Sequence, residues 1–177
     1  PLCVRLLDVG EDQPLFVHAS EELAAEHADA VPNAKFWRTL RATRQATVVT
    51  GIAPRVTGQE ILMRLDSPGL ARLLQRFGTR IGDSYLLYPG IVHSLSAGNL
   101  VWELEQTNAA PYRLSDLGTG EKISEDEQQL ALNALQVEAR HNPRISREAG
   151  AMRHTRRIRL TPHCPYFDVA EVRLVDH

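Results

Sequence analysis

The clearest alternation of apolar and polar positions lies at the centre of the chain. Gly82-Asp83 reads as a turn that opens an apolar, aromatic-rich strand through Ser84-Tyr85-Leu86-Leu87-Tyr88. Pro89-Gly90 then forms a corner and delivers His93 at the start of another strand. A second turn, Ser96-Ala97-Gly98-Asn99, leads into Leu100, Trp102 and Leu104 at every other position. Strand, corner, histidine, strand is a pattern that presents an imidazole to the interior of a small β-barrel, where imidazole most often ligates a metal.

Upstream, Leu2–Asp8 is apolar on both faces and is expected to be an internal strand. A turn over Gly10–Gln13 precedes a short strand that delivers His18, and Ser20 caps a short helix with Glu21 and Glu22 in its first turn. Val31-Pro32-Asn33 breaks that helix. Phe36–Arg41 and Ala46–Gly51 predict a hairpin. Two helices are expected next, one from the capping box Thr57–Glu60 and one from Ser67-Pro68 through Leu70, Leu73 and Leu74. Ser124–Glu127 is a further capping box, leading into Leu130, Leu132, Ala134 and Leu135. Residues from Ile158 to Leu174 read as two closing strands. The class is mainly β.

Composition narrows the partners. The 177 residues are enough for one domain with a real core. A net charge of −2 argues for neither nucleic acid nor membrane, and no apolar run approaches the ~20 residues of a membrane helix. Cys3 and Cys164 are too few and too far apart for a disulfide framework, so reduced thiols and a cytoplasmic setting are expected. From Arg140 to Arg159 there are seven arginines against one acid, Glu148. Such a run is most often a solvated connector, and the alternative is a segment that contacts phosphate or a partner. The chain opens directly in a strand without an initiator methionine and is expected to be a piece of a larger protein. There is no phosphate-cradling glycine loop, nucleophile elbow or Cys-x-x-Cys pair.

The block from Gly82 to His93, with Asn99–Gln106 after it, resembles the second cupin motif of the short bacterial type I mannose-6-phosphate isomerases. Further pieces fit the same family: Pro1–Ala19, Glu103–Asn108, Pro111–Asp116 and Cys164–Val169. The resemblance implies a double-stranded β-helix, the jelly-roll barrel of the cupin superfamily. The barrel would occupy residues 1–119, with a helical insertion near 57–77. A helix, the basic connector and closing strands would occupy 120–177, as the start of a second cupin.

The resemblance also implies a zinc site and a phosphorylated sugar as substrate. Its ligand pattern is a glutamine, the histidine two residues on, a glutamate on the next hairpin, and the histidine of the second motif. Carried across, the histidines fall on His18 and His93, but the glutamine position is Phe16 and the glutamate position is Lys35. Glu103 would be a third ligand if it faces inward, although an acid among alternating apolar residues usually faces solvent. His163 is another candidate. Arg113 matches the family's arginine over the sugar, as the catalytic residue that stabilises an ene-diolate. Lys35 and Gln106 are candidates for substrate binding, and Ala109 replaces an aspartate of the pattern. Two readings follow: a metal-dependent aldose–ketose isomerase, or a catalytically inactive cupin binding module. A cupin with another metal chemistry, such as a dioxygenase, would need a third well-spaced ligand that the sequence does not offer.

Overall fold

A computed structural model of the chain describes residues 1–65, 67–107, 110–117, 122–137, 144–145, 155–161 and 163–174. Most of the basic run between 140 and 159 lies outside these residues, as does Ala109. The strands are β1 (Leu2–Val9), β2 (Leu15–Val17), β3 (Lys35–Ala42), β4 (Thr47–Ile52), β5 (Leu74–Gly78), β6 (Ser84–Leu87), β7 (His93–Leu95), β8 (Asn99–Gln106), β9 (Tyr112–Ser115), β10 (Arg144–Ile145), β11 (Arg156–Arg159) and β12 (Ala170–Arg173). They form two five-stranded antiparallel sheets, β1-β8-β3-β6-β10 and β5-β4-β7-β2-β9, and a separate β11-β12 pair. This is the mainly β cupin architecture that the resemblance implied.

Three layers of packing follow from strand alternation. Val9, Trp37, Tyr85, Leu87 and Val101 of the first sheet meet Val48 and Leu95 of the second in one cluster, which is the barrel interior. The outer face of the second sheet, with Leu15, Val17, Val49 and Leu114, is covered by the helices α1 (Glu21–Glu26), α2 (Gly58–Arg64) and α3 (Glu125–Ala134) through Leu23, Ile61 and Ala131. The outer face of the first sheet, with Phe36, Leu86 and Leu104, is covered by Leu160 and Phe167 around the closing strand pair.

The helix starts follow their sequence signals. Ser20 Oγ accepts from Leu23 N–H at 3.1 Å, and Thr57 and Glu60 form a complete capping box. Gly90 takes φ +79°, the left-handed conformation that its corner requires, and its N–H donates to His18 O at 3.1 Å.

Several expectations are corrected. β1 is not internal. It is the edge of its sheet, with Leu2, Val4 and Leu6 exposed at 52%, 58% and 67%. β3 and β4 do not pair as a hairpin: the chain crosses at Thr43–Ala46 from one sheet to the other, so β3 pairs β6 and β8 while β4 pairs β5 and β7. The helix expected after Pro68 is one 3-10 turn, Leu70–Leu73, and Leu74 already belongs to β5, where Gly78 pairs Thr47. The spacing of three and four still buries Leu70, Leu73 and Leu74 together.

Candidate functional site

Pairing registers place the candidate residues on the barrel interior. Opposed residues in neighbouring antiparallel strands share a face. Phe16 opposes His93 on one side and Arg113 on the other, and His93 opposes Thr50, so Thr50, His93, Phe16 and Arg113 form one row across the second sheet. On the first sheet Lys35 opposes Glu105 and Trp37 opposes Glu103, while β1 brings Cys3 and Arg5 beside the same two acids.

His18 follows β2 and precedes the Ser20 cap. Its ring stacks on that of His93, with centroids 5.6 Å apart and planes 7° from parallel, and Trp37 meets His93 edge-on at 5.5 Å. Both histidines are buried, at 2% and 3% exposure. His93 Nδ1 lies 2.9 Å from Ile91 O, a contact in which Nδ1–H donates and the lone pair is left on Nε2. Among the described residues, His18 has no hydrogen-bond partner at either ring nitrogen. Burial pushes His18 down to about 2, with the charges of His93 and Lys35 adding to the shift. Burial likewise takes His93 down to about 3, reinforced by Lys35 and opposed by the bond to Ile91 O. Both rings are therefore neutral at pH 7.

Lys35, 8% exposed, turns into the barrel. Its Nζ lies 2.9 Å from Glu105 Oε2 and 3.5 Å from Glu103 Oε2. Arg5 pairs with both of the same acids, at 3.1 Å to Glu103 Oε1. Trp37 Nε1–H donates to Glu103 Oε2 at 2.7 Å. Two cations and two carboxylates thus form a balanced cluster. Lys35, Glu103 and Glu105 are buried while the Arg5 side chain is about half exposed, so Lys35 is the buried cation of the cluster.

Glu103 faces inward after all, since Leu100, Trp102 and Leu104 turn to the outer face, where Trp102 and Leu104 join the cluster under the closing strands. Its carboxylate is held by Trp37, Arg5 and Lys35 rather than offered to a metal. Among the described residues no three His, Cys, Asp or Glu side chains converge as ligands for an ion. The donor set does not fit zinc: His18 and His93 have no third ligand converging with them among the described residues, and structural or catalytic zinc takes three or four protein ligands. A dication about 4 Å from an ammonium is opposed by about 8 kcal/mol at an effective dielectric near 20.

The remaining candidates are placed as follows. Arg113 is half-buried at the end of the Phe16 row and is held by Glu127 of α3, Nε to Oε1 at 3.1 Å and Nη2 to Oε2 at 3.2 Å. Gln106 Oε1 accepts from Ala34 N–H at 2.9 Å, so it fixes the approach to β3. His163 is exposed, and its carbonyl accepts from Tyr88 OH at 3.4 Å. Sequence reasoning missed Arg5, Trp37 and Glu105. The available signal was period two: Lys35 and Trp37 share a face of β3, as do Glu103 and Glu105 of β8.

No family model matches the chain. Over 117 residues, 66% of this chain, it is 31% identical to the Bacillus subtilis protein YvyI, provisionally named a mannose-6-phosphate isomerase. Over the same length it is 26% identical to the mannose-6-phosphate isomerase ManA of Bacillus subtilis. The match spans 37% of the length of each relative. The crystal structure of a Bacillus subtilis mannose 6-phosphate isomerase superposes with a TM-score of 0.78 at 24% identity, covering 99% of this chain and 56% of that one. A mannosephosphate isomerase structure from Archaeoglobus fulgidus, also provisionally named, gives 0.63 at 18% identity over 91% of this chain and 54% of that one. Sequence and fold point the same way: the chain is similar to mannose-6-phosphate isomerases over about a third of their length and has the cupin fold of their solved structures.

Proposed function

We propose that this chain is a cupin unit that binds a phosphorylated sugar without a metal, and that metal-dependent aldose–ketose isomerisation is not its own activity. The observation that carries the reading is Lys35. Where the resemblance places a ligand carboxylate, the chain puts an ammonium that turns into the barrel and pairs with Glu103 and Glu105, and its charge helps to keep His18 and His93 neutral. Phe16, at the other departed ligand position, lies directly across from His93 and adds an apolar wall rather than a donor. The sugar class rests on the mannose-6-phosphate isomerase names of the relatives.

A working isomerase is the second reading. It is favoured by Arg113, which shares a row with Phe16 and His93, so that a guanidinium could reach an oxyanion formed over that row. Its pairing with Glu127 would have to open or be shared for that role.

The test is metal analysis together with turnover and binding. Protein purified without chelator, incubated with zinc and desalted, is expected to carry no stoichiometric metal and to leave mannose 6-phosphate unconverted. Calorimetry is expected to show mannose 6-phosphate binding. Near-stoichiometric zinc with turnover would overturn the proposal in favour of the isomerase. Absence of binding would remove the sugar assignment.

A further inference from the structure

One end of the barrel is tied across by side chains. β2, β6 and β8 end there, and β3 and β7 begin there, so His18, Lys35, Tyr88 and His93 share that rim. The connection from Tyr88 to Val92 carries the chain over it from the first sheet to the second. His18 and His93 are 2% and 3% exposed, so a solute reaches them only after something at the rim moves.

Residues 163–169, between β11 and β12, are fastened across the same rim. Cys164, Tyr166 and Phe167 pack with Ala34, Phe36 and Leu86 on the outer face of the first sheet. From there Tyr166 OH donates to Glu21 Oε1 in the first turn of α1, and α1 is seated on the second sheet through Leu23. The bond thus joins what rests on one sheet to what rests on the other, and Glu21 stands three residues beyond His18 in the chain. Tyr88, which packs against both the interior and the outer cluster, adds a second fastening, its OH to His163 O at 3.4 Å. Both ties are exposed, so water replaces them at little net cost and they open readily.

We infer that Tyr166 and Glu21 form a latch over the mouth of the barrel, and that its opening admits solutes to His18 and His93. The inference supplies an entry route for the sugar site proposed above. It rests on that reading only for the identity of the solute, and the latch is tested without sugar.

The experiment reads the accessibility of the two histidines with diethyl pyrocarbonate, which modifies neutral imidazole. His18 has both ring nitrogens unpartnered among the described residues and His93 keeps its Nε2 lone pair, so each reacts once reached. Exposed His27 is the internal reference. The unchanged chain is compared with Tyr166→Phe, which keeps the packed ring and removes only the hydroxyl, and with Glu21→Ala. Arg159→Ala is the control, since it removes an exposed ion pair with Asp168 of the same segment that does not reach α1. Modification is mapped by mass spectrometry.

Relative to His27, His18 and His93 are expected to react about two- to tenfold faster in both latch variants, the shift in opening that loss of one hydrogen bond produces. The control is expected to leave both rates unchanged. Unchanged rates in the latch variants would overturn the inference. So would a rise in only one of them, because the bond needs both partners, or a rise that Arg159→Ala reproduces, because that is general loosening of the segment. Failure of the unchanged chain to bind mannose 6-phosphate would remove the sugar reading and leave the latch standing.

Discussion

Arg113 and Glu127 are joined by two parallel N–H to carboxylate contacts, and the backbone N–H of Arg113 adds a third bond to the same carboxylate at 3.4 Å. The pair ties the end of the Phe16 row to the first turn of α3. It also explains why Ser124–Glu127 is only half a capping box. Ser124 Oγ accepts from Glu127 N–H, but the Glu127 side chain turns to Arg113.

Arg113 holds the Glu127 carboxyl below its ordinary value of 4.5. The pair therefore contributes stability above that pH and loses it on acidification. Both side chains are about a third exposed, which limits the effect. Glu127→Gln is expected to cost about 0.5–1 kcal/mol at neutral pH by urea denaturation, with the difference from the unchanged chain shrinking in acid.

The buried histidines set a second pH dependence. Both have native values far below the 6.5 of the unfolded chain, at about 2 and about 3. The unfolded state then binds more protons as pH falls below 6.5, and stability drops with it. Each histidine removes up to about 1.4 kcal/mol per pH unit. Urea midpoints between about pH 6 and pH 5 should therefore fall steeply. His18→Leu should flatten that slope by about half while leaving neutral-pH stability equal or higher, because the ring it removes has no hydrogen bonds to lose.

Gly90 should tolerate no side chain. Its φ of +79° suits glycine, and an added Cβ would sit 2.7 Å from Gln136 Cγ and 3.0 Å from Ser20 Cβ. Gly90→Ala is expected to lower stability by about 1–3 kcal/mol, read by thermal melting.

The exposed stripe on β1 should control self-association. Val4 and Leu6 stand on an edge strand with apolar side chains outward. Leu6→Lys is expected to reduce concentration-dependent light scattering without lowering the melting temperature, since its side chain is 67% exposed.

What could be read in the sequence was what is local. The caps at Ser20, Thr57 and Ser124 and the Pro89-Gly90 corner depend on neighbours within four residues, and the structure follows them. The face of β8 could not be read this way. Alternation names two faces without saying which is inside, and here both are covered, one by the barrel and one by the closing strands around Phe167. The apolar run of β1 misled for the same reason, since an apolar strand can lie at an edge. The charge cluster pairs Arg5 and Lys35 with acids 68 to 100 positions away, Glu103 and Glu105, and only strand order brings them together.

Lys35 arrives at its place on a covalent stem. A metal ion is borrowed from solution, so it can be chelated, exchanged for another element or lost when supply fails. A charge built into β3 has no off-rate. The positive charge that Lys35 brings to the barrel is thus fixed at translation and identical in every copy of the chain.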